Sequence, residues 1–277
     1  MMNFSMRETH PVNISWLPSK GKAYPDTMEI FVAPMTIKEQ KLLQGATAAN
    51  YYTRLLDGID CSGAQFRKRD LLFCDVQFLD LVRRIFTFEL NKKVTVTQYP
   101  CYHCKSRNVE VSFNVEDLEF ADLKPELFGT VKSYTDNETG ELVEQVIPGK
   151  IYKFSDGLEV VVSPMTTGEF IEMAAKYVSN APEDEDFLNK QLTDAYIGSF
   201  TYLIKSVVGR DFKDAAERRK FLFDYIGDLY KASDKKILEA IQQDVSCDIK
   251  PIITTCPDCE KEVEVYVHPS LTFRQDD

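Results

Sequence analysis

The sequence predicts an α+β fold built as a tandem duplication. Each half runs strand, capped helix, further helices and a Cys-x-x-Cys knuckle hairpin, and the two hairpins join as a zinc ribbon. Three observations predict this. Residues 17–39, LPSKGKAYPDTMEIFVAPMTIKE, align without a gap on residues 147–169, IPGKIYKFSDGLEVVVSPMTTGE, with nine of 23 positions identical. Two Cys-x-x-Cys pairs, Cys101–Cys104 and Cys256–Cys259, each sit between strand-like runs, VTVTQYP-CYHC-KSRNVEVSF and CDIKPIITT-CPDC-EKEVEVYV. The segments between repeat and knuckle carry apolar residues at helical spacing.

The first 16 residues are polar and have no periodic pattern, so they are assigned to an N-terminal arm. The first half spans 17–115. Its strand, Met28 to Val32, is stopped by Pro34, which has no N–H to give a ladder. Thr36 follows as N-cap with Glu39 at the third helical position, a capping box that satisfies two otherwise orphaned N–H groups. The same residues recur as Pro164, Thr166 and Glu169. In both places capping explains them without any catalytic role. A helix is expected over 36–57 from Leu42, Leu43, Tyr51, Tyr52, Leu55 and Leu56, although Gly45 interrupts it. Asp75 is expected to cap a second helix carrying Val76, Phe78, Leu79, Val82, Ile85 and Phe86.

Residues 116–146 read as a linker containing a hairpin, its turn at Asp136–Gly140. The second half, 147–270, repeats the opening strand and capping box. It then predicts a helix over 187–208 ending at Gly209, another over 213–230 and a third capped by Ser233. The acidic run Glu183–Asp186 reads as a solvated loop, since it lacks the glycine and spaced ligands of a calcium loop. Residues 271–277 form a C-terminal tail.

The cysteines carry the chemistry. A knuckle aims two thiolates at one point, and two knuckles facing each other supply the four-sulfur tetrahedron that zinc prefers. Cys101, Cys104, Cys256 and Cys259 are therefore the expected ligands of one structural zinc, although 151 residues separate the pairs. The duplication accounts for that distance, because each half contributes one hairpin across a pseudo-twofold axis. His103 is expected to be exposed. Cys74 reads as a small buried residue, and Cys61 and Cys247 as incidental, with Cys247 an alternative ligand by its nearness to Cys256.

Composition narrows the function. The 277 residues are 44% apolar and 28% charged, the balance of a globular protein. A net charge of −11 disfavours broad nucleic-acid binding. No apolar run approaches the ~18–20 residues needed to cross a bilayer, and the start lacks the pattern of a secretory signal. Seven cysteines, mostly in Cys-x-x-Cys pairs, fit a reducing compartment with a metal. No Walker loop, dinucleotide fingerprint, nucleophile elbow or His-Glu-x-x-His is present, and the three histidines are scattered. The expectation is a protein that is not an enzyme.

The ordered features resemble a known family. The opening Leu17, Pro18, Ser19, Gly21, Tyr24, Pro25 is followed by a strand ending in Pro-Met-Thr. Helices with Asp75, Leu79 and Arg83 come next, then the knuckle hairpin, and a second Cys-x-x-Cys near a C-terminal Phe. This resembles the baseplate hub family of T-even-type contractile-tailed bacteriophages, over about Trp16 to Phe273. The resemblance implies a structural or assembly component of the tail baseplate, put together in the host cytoplasm and placed in the virion. It implies other baseplate and tail proteins as partners, with a homo-oligomer also open. Met1–Trp16 and Leu271–Phe273 are the segments expected to reach neighbours. The alternative is a zinc-ribbon adaptor for nucleic acid or another protein; a metal- or thiol-dependent enzyme ranks behind both.

Overall fold

The computed structural model describes residues 8–62, 66–87, 93–121, 123–135, 142–178 and 185–267. Among these it is a mixed α/β structure of seven α-helices and small antiparallel sheets.

Strand β1 (His10–Val12) pairs with β2 (Glu29–Val32), His10 opposite Val32 and Val12 opposite Ile30. This corrects the arm reading for residues 10–16. Val12 is buried, and Ile14–Trp16 continue as a 3-10 turn capped by the Asn13 side chain. A short polar strand has no periodicity to betray it when its partner lies about 20 residues away. In β2, Ile30 and Val32 point into the core while Glu29 faces out.

Thr36 caps α1 (Ile37–Leu43) in the expected box: Glu39 N donates to Thr36 Oγ1 at 3.2 Å, and Thr36 N donates to the Glu39 carboxylate at 2.8 Å. The helix expected over 36–57 is two helices. The chain turns extended at Gln44, Gly45 takes φ +74°, and Thr47 caps α2 (Ala48–Leu55). The break lets the chain return as β3 (Ile59–Ser62), antiparallel to β2 on its free edge with Ile59 opposite Val32.

Helix α3 (Phe73–Thr87) is the buried spine of this half, with Val76, Phe78, Leu79, Leu81, Val82 and Ile85 in the core. Asp75 does not cap it. It lies inside the first turn, fully buried, and accepts Ser19 N at 2.9 Å and the Tyr24 hydroxyl at 2.5 Å. Tyr24 in turn accepts Leu72 N at 3.0 Å. Burial raises the Asp75 carboxyl despite these donors, and burial with the Asp75 charge keeps the Tyr24 hydroxyl protonated. The hairpin β4 (Lys93–Tyr99) and β5 (Val109–Asn114) follows.

Between the halves, β6 (Thr130–Thr135) and β7 (Leu142–Ile147) form the expected hairpin; its turn at Asp136–Gly140 lies outside the described residues. The second half opens with β8 (Lys150–Lys153) against β9 (Glu159–Val162), Lys150 opposite Val162. Thr166 and Glu169 make the second capping box, on α4 (Thr167–Tyr177). Helix α5 (Glu185–Leu203) stops short of the predicted end, and β10 (Ile204–Val207) pairs with β9 instead, Ile204 opposite Val162. An open edge of a central strand outweighs local helical spacing here, and Gly209 at φ +73° makes the turn beyond it. Glu185 and Asp186, expected in a loop, begin α5; Glu183 and Asp184 lie outside the described residues.

Asp214 caps α6 (Ala215–Gly227) through Glu217 N. Helix α7 (Ala232–Val245) is preceded by Lys231 at its N-cap, so Ser233 is not the cap; it sits in the first turn. The buried Asp234 beside it accepts Ser155 N at 2.8 Å and Ser155 Oγ at 2.9 Å. The chain then forms the hairpin β11 (Ile252–Thr255) and β12 (Glu262–Val265). His268 and Leu271–Phe273 lie outside the described residues.

The two three-stranded sheets share one plan. An edge strand, a central strand, a box-capped helix, a second helix and a strand on the other edge follow in order, with Val32 or Val162 between its two partners. The helix leading to each knuckle has a buried Asp as its third residue, Asp75 or Asp234, holding a serine N–H from the loop before the central strand. Two backbone seams join the halves. Phe73 N donates to Met165 O and Thr167 N to Leu71 O, with the Phe73 and Phe170 rings stacked at 3.7 Å. Ala121 N donates to Asp248 O and Lys250 N to Glu119 O.

Candidate metal centre

The two knuckles have the same backbone. Cys101 N donates to Ser106 O and Lys105 N to Cys101 O, at 2.8 and 2.9 Å; Cys256 N donates to Lys261 O and Glu260 N to Cys256 O, both at 2.9 Å. The fourth residue after each leading cysteine takes positive φ, Lys105 at 63° and Glu260 at 59°. That left-handed step closes each turn so that both sulfurs face the same side. The first knuckle's extra residue is absorbed after the turn, where Asn108 N donates to Ser106 Oγ. On the entering side, Gln98 at φ 58° sits where the β4–β5 register shifts between Val96 and Tyr99. This bulge re-aims the strand toward Cys101.

All four predicted sulfurs converge. Cys101 Sγ lies 3.8 Å from Cys259 Sγ, Cys104 Sγ lies 3.7 Å from Cys256 Sγ, and the four are within 4.8 Å of one another. A regular tetrahedron with metal–sulfur bonds of ~2.3 Å has edges of about 3.8 Å. The spacing therefore fits one thiolate-bound metal ion. Cys101 and Cys256 are buried, Cys259 is half-buried and Cys104 exposed, so the group sits at the rim of the core.

The local field already favours charge at one sulfur. The backbone N–H groups of Cys104 and then His103 outweigh burial and bring the Cys101 thiol down to about 7. Cys259 goes the other way: the Lys261 amide pulls it down, but burial and the three neighbouring thiols push it up to about 12. Four sulfurs this close cannot all ionise without a cation between them, and a bound metal supplies it. Contacts between the knuckles hold the sulfurs in place. Asp258 accepts from Ser106 Oγ and, at 2.8 Å, from Asn108 Nδ2. Tyr102 Oη donates to Glu262 O at 3.2 Å. β11 packs beside β5.

The other cysteines stand apart from this group. His103 is exposed, as expected, with its ring against Tyr102. Cys61 is half-buried on β3, where burial raises its thiol to about 11. Cys247 does not join the four sulfurs; its thiol donates to Val245 O at 3.9 Å. The Cys247 thiol, burial and the Asp75 charge raise the Cys74 thiol well above its ordinary value.

A polar junction that sequence reasoning missed links three segments. The Asp244 carboxylate of α7 accepts from Lys124 Nζ at 2.5 Å, and from Lys150 Nζ and Tyr152 Oη of β8. Burial works to raise Asp244, yet these three donors prevail and hold it at about 2. No local pattern signals such a group, because its partners lie 92 to 120 residues away, between positions 124 and 244.

No helix among the described residues is long and apolar enough to cross a membrane. Comparison with models of protein families, with curated proteins and with solved structures finds no match.

Proposed function

We propose that this chain is a structural and assembly protein of the bacteriophage tail baseplate, a hub component that acts through protein–protein contacts and is stapled by one structural zinc. The observation that carries the reading is the convergence of two remote knuckles on one tetrahedral four-sulfur set. Four protein thiolates complete zinc's shell, so the metal has no open position for water and its work is to hold the chain together. Cys101, Cys104, Cys256 and Cys259 are its ligands.

The finer architecture belongs to the same proposal. The shared sheet plan, the paired capping boxes, the matched knuckle turns and the paired helix aspartates support descent from a duplicated unit, its two hairpins meeting as a zinc ribbon. The baseplate reading rests on the resemblance of Leu17–Pro25, the Pro-Met-Thr strand end, the α3 stripe and the two knuckles. A net charge of −11 favours it over a nucleic-acid adaptor. Its partners are other baseplate and tail proteins, and its place is the virion after assembly in the host cytoplasm.

The test is a search for the chain in tail baseplates and partly assembled tails of the phage that encodes it, by single-particle imaging with labelled antibody as a cross-check. Its absence from both particles and intermediates would overturn the baseplate assignment. Catalytic turnover by the purified zinc-loaded chain would overturn the non-enzymatic role.

A further inference from the structure

A cluster of cations in the second half has more positive groups than carboxylates beside them. Lys205 of β10 donates from Nζ to both carboxylate oxygens of Glu169, at 2.6 Å each, and to Tyr202 O at 2.8 Å. Arg219 of α6 lies over the Tyr202 ring, its Cζ 4.5 Å from the centroid, and its Nη1 is 3.8 Å from Glu172. Arg218, its neighbour, has no such acceptor among the described residues. Its Nε is buried and without a hydrogen-bond partner, although the residue as a whole is half-exposed. Nε is thus a donor that the fold itself leaves unused.

The first half shows how the same position is balanced. Glu39, which occupies the capping-box position of Glu169, accepts Arg83 Nη2 at 3.1 Å, while Arg83 Nε donates to Ala33 O at 2.6 Å. There the buried guanidinium is satisfied from both ends. In the second half Lys205 has taken Glu169, and Arg218 and Arg219 are additional. Burial, then the Arg219 charge, lowers the Arg218 pKa; Lys205 is lowered by burial, with both arginines adding to the effect against Glu169. Three cations share two carboxylates, and Glu172 is more than half exposed.

A buried guanidinium nitrogen without an acceptor costs the fold and gives it nothing in return, as a group kept for a ligand would. We propose that Lys205, Arg218 and Arg219 form an oxyanion site, with Arg218 as its principal donor. The guanidinium fork matches the two oxygens of a carboxylate or phosphate, and the flanking cations add charge. The oxyanion comes either from phosphate or from the carboxylate of an acidic side chain on a partner protein.

The experiment is thermal unfolding of the full zinc-loaded chain in chloride buffer at fixed ionic strength, with inorganic phosphate titrated in one arm and acetate in the other. The expected result is a saturable rise in the midpoint for the wild type. The Arg218→Gln chain should unfold at the same or a higher midpoint without the anion, and should respond at least about tenfold more weakly to it. A response to phosphate alone assigns the site to phosphate groups; a comparable response to acetate assigns it to carboxylates. A flat wild-type titration in both arms overturns the proposal, as does an equal response in R218Q. A marked fall in the R218Q midpoint without anion also overturns it, because Arg218 would then serve the fold. Should R218Q not fold, calorimetric titration of the wild type with phosphate and with acetate decides, and absence of binding heat for both refutes the site.

Discussion

On the proposed zinc-bound reading, stripping the metal should unfold the two knuckle hairpins and leave the helices standing. Ordering the segment from Ile252 to Val265 costs roughly 14–28 kcal/mol at ~1–2 kcal/mol per residue. Burial of Val263 and Val265, both fully buried, returns about 3–6 kcal/mol. The β11–β12 ladder adds about 2–6 kcal/mol net. The hairpin is left short by on the order of 10 kcal/mol, the size of what a structural zinc supplies, ~10–16 kcal/mol. The halves do not depend on it to the same degree, because the Phe73–Met165 and Ala121–Asp248 seams and the Phe73–Phe170 stack lie outside the site. Hydrogen exchange read by mass spectrometry, before and after chelation, tests this. Amides of β4, β5, β11 and β12 should lose protection by several orders of magnitude, while those of α3, β2 and β9 keep most of theirs. Metal analysis should give about one zinc per chain, lowered equally by Cys101→Ser and Cys256→Ser. Retained hairpin protection in the metal-free chain would refute the reasoning, and so would an equal collapse of α3.

Tyr24→Phe removes the hydroxyl that links Asp75 to Leu72 N and leaves buried groups unpaired. It should cost about 1–3 kcal/mol in urea unfolding with zinc content unchanged; a neutral result would show that water replaces the hydroxyl. Gly58→Ala should cost at least about 3 kcal/mol, since its Cβ would fall 1.8 Å from Arg83 Cζ and displace a guanidinium held by Ala33 O and Glu39; a stable variant would mean that Arg83 has another seat. Asp244 has a folded pKa of about 2, below its ordinary ~3.9. Its contribution is therefore complete above about pH 4 and lost as pH falls through about 2, some ~2 kcal/mol in all. The stability gap between wild type and Asp244→Asn should shrink over that window, and a gap independent of pH would contradict the ion-pair account.

Local chemistry was legible in the sequence. The capping boxes close within four residues, Pro34 and Pro164 end strands by lacking an N–H, and each Cys-x-x-Cys fixes its own turn, so all of these could be read along the chain. The clustering of the four cysteines followed from matched contexts, because a metal that needs four sulfurs leaves few other ways to use two knuckles. Tertiary structure decided what depends on a distant partner. The break at Gly45 and the change from helix to strand at Ile204 both serve to cover the edges of a central strand. Asp75 looked like a cap because only its neighbours are visible in sequence; Ser19 and Tyr24, 56 and 51 residues away, make it a buried acceptor. Arg218 carries no sequence signal at all. Whether a cation is paired depends on which carboxylates the fold brings beside it, and here Lys205, from β10, holds both oxygens of Glu169.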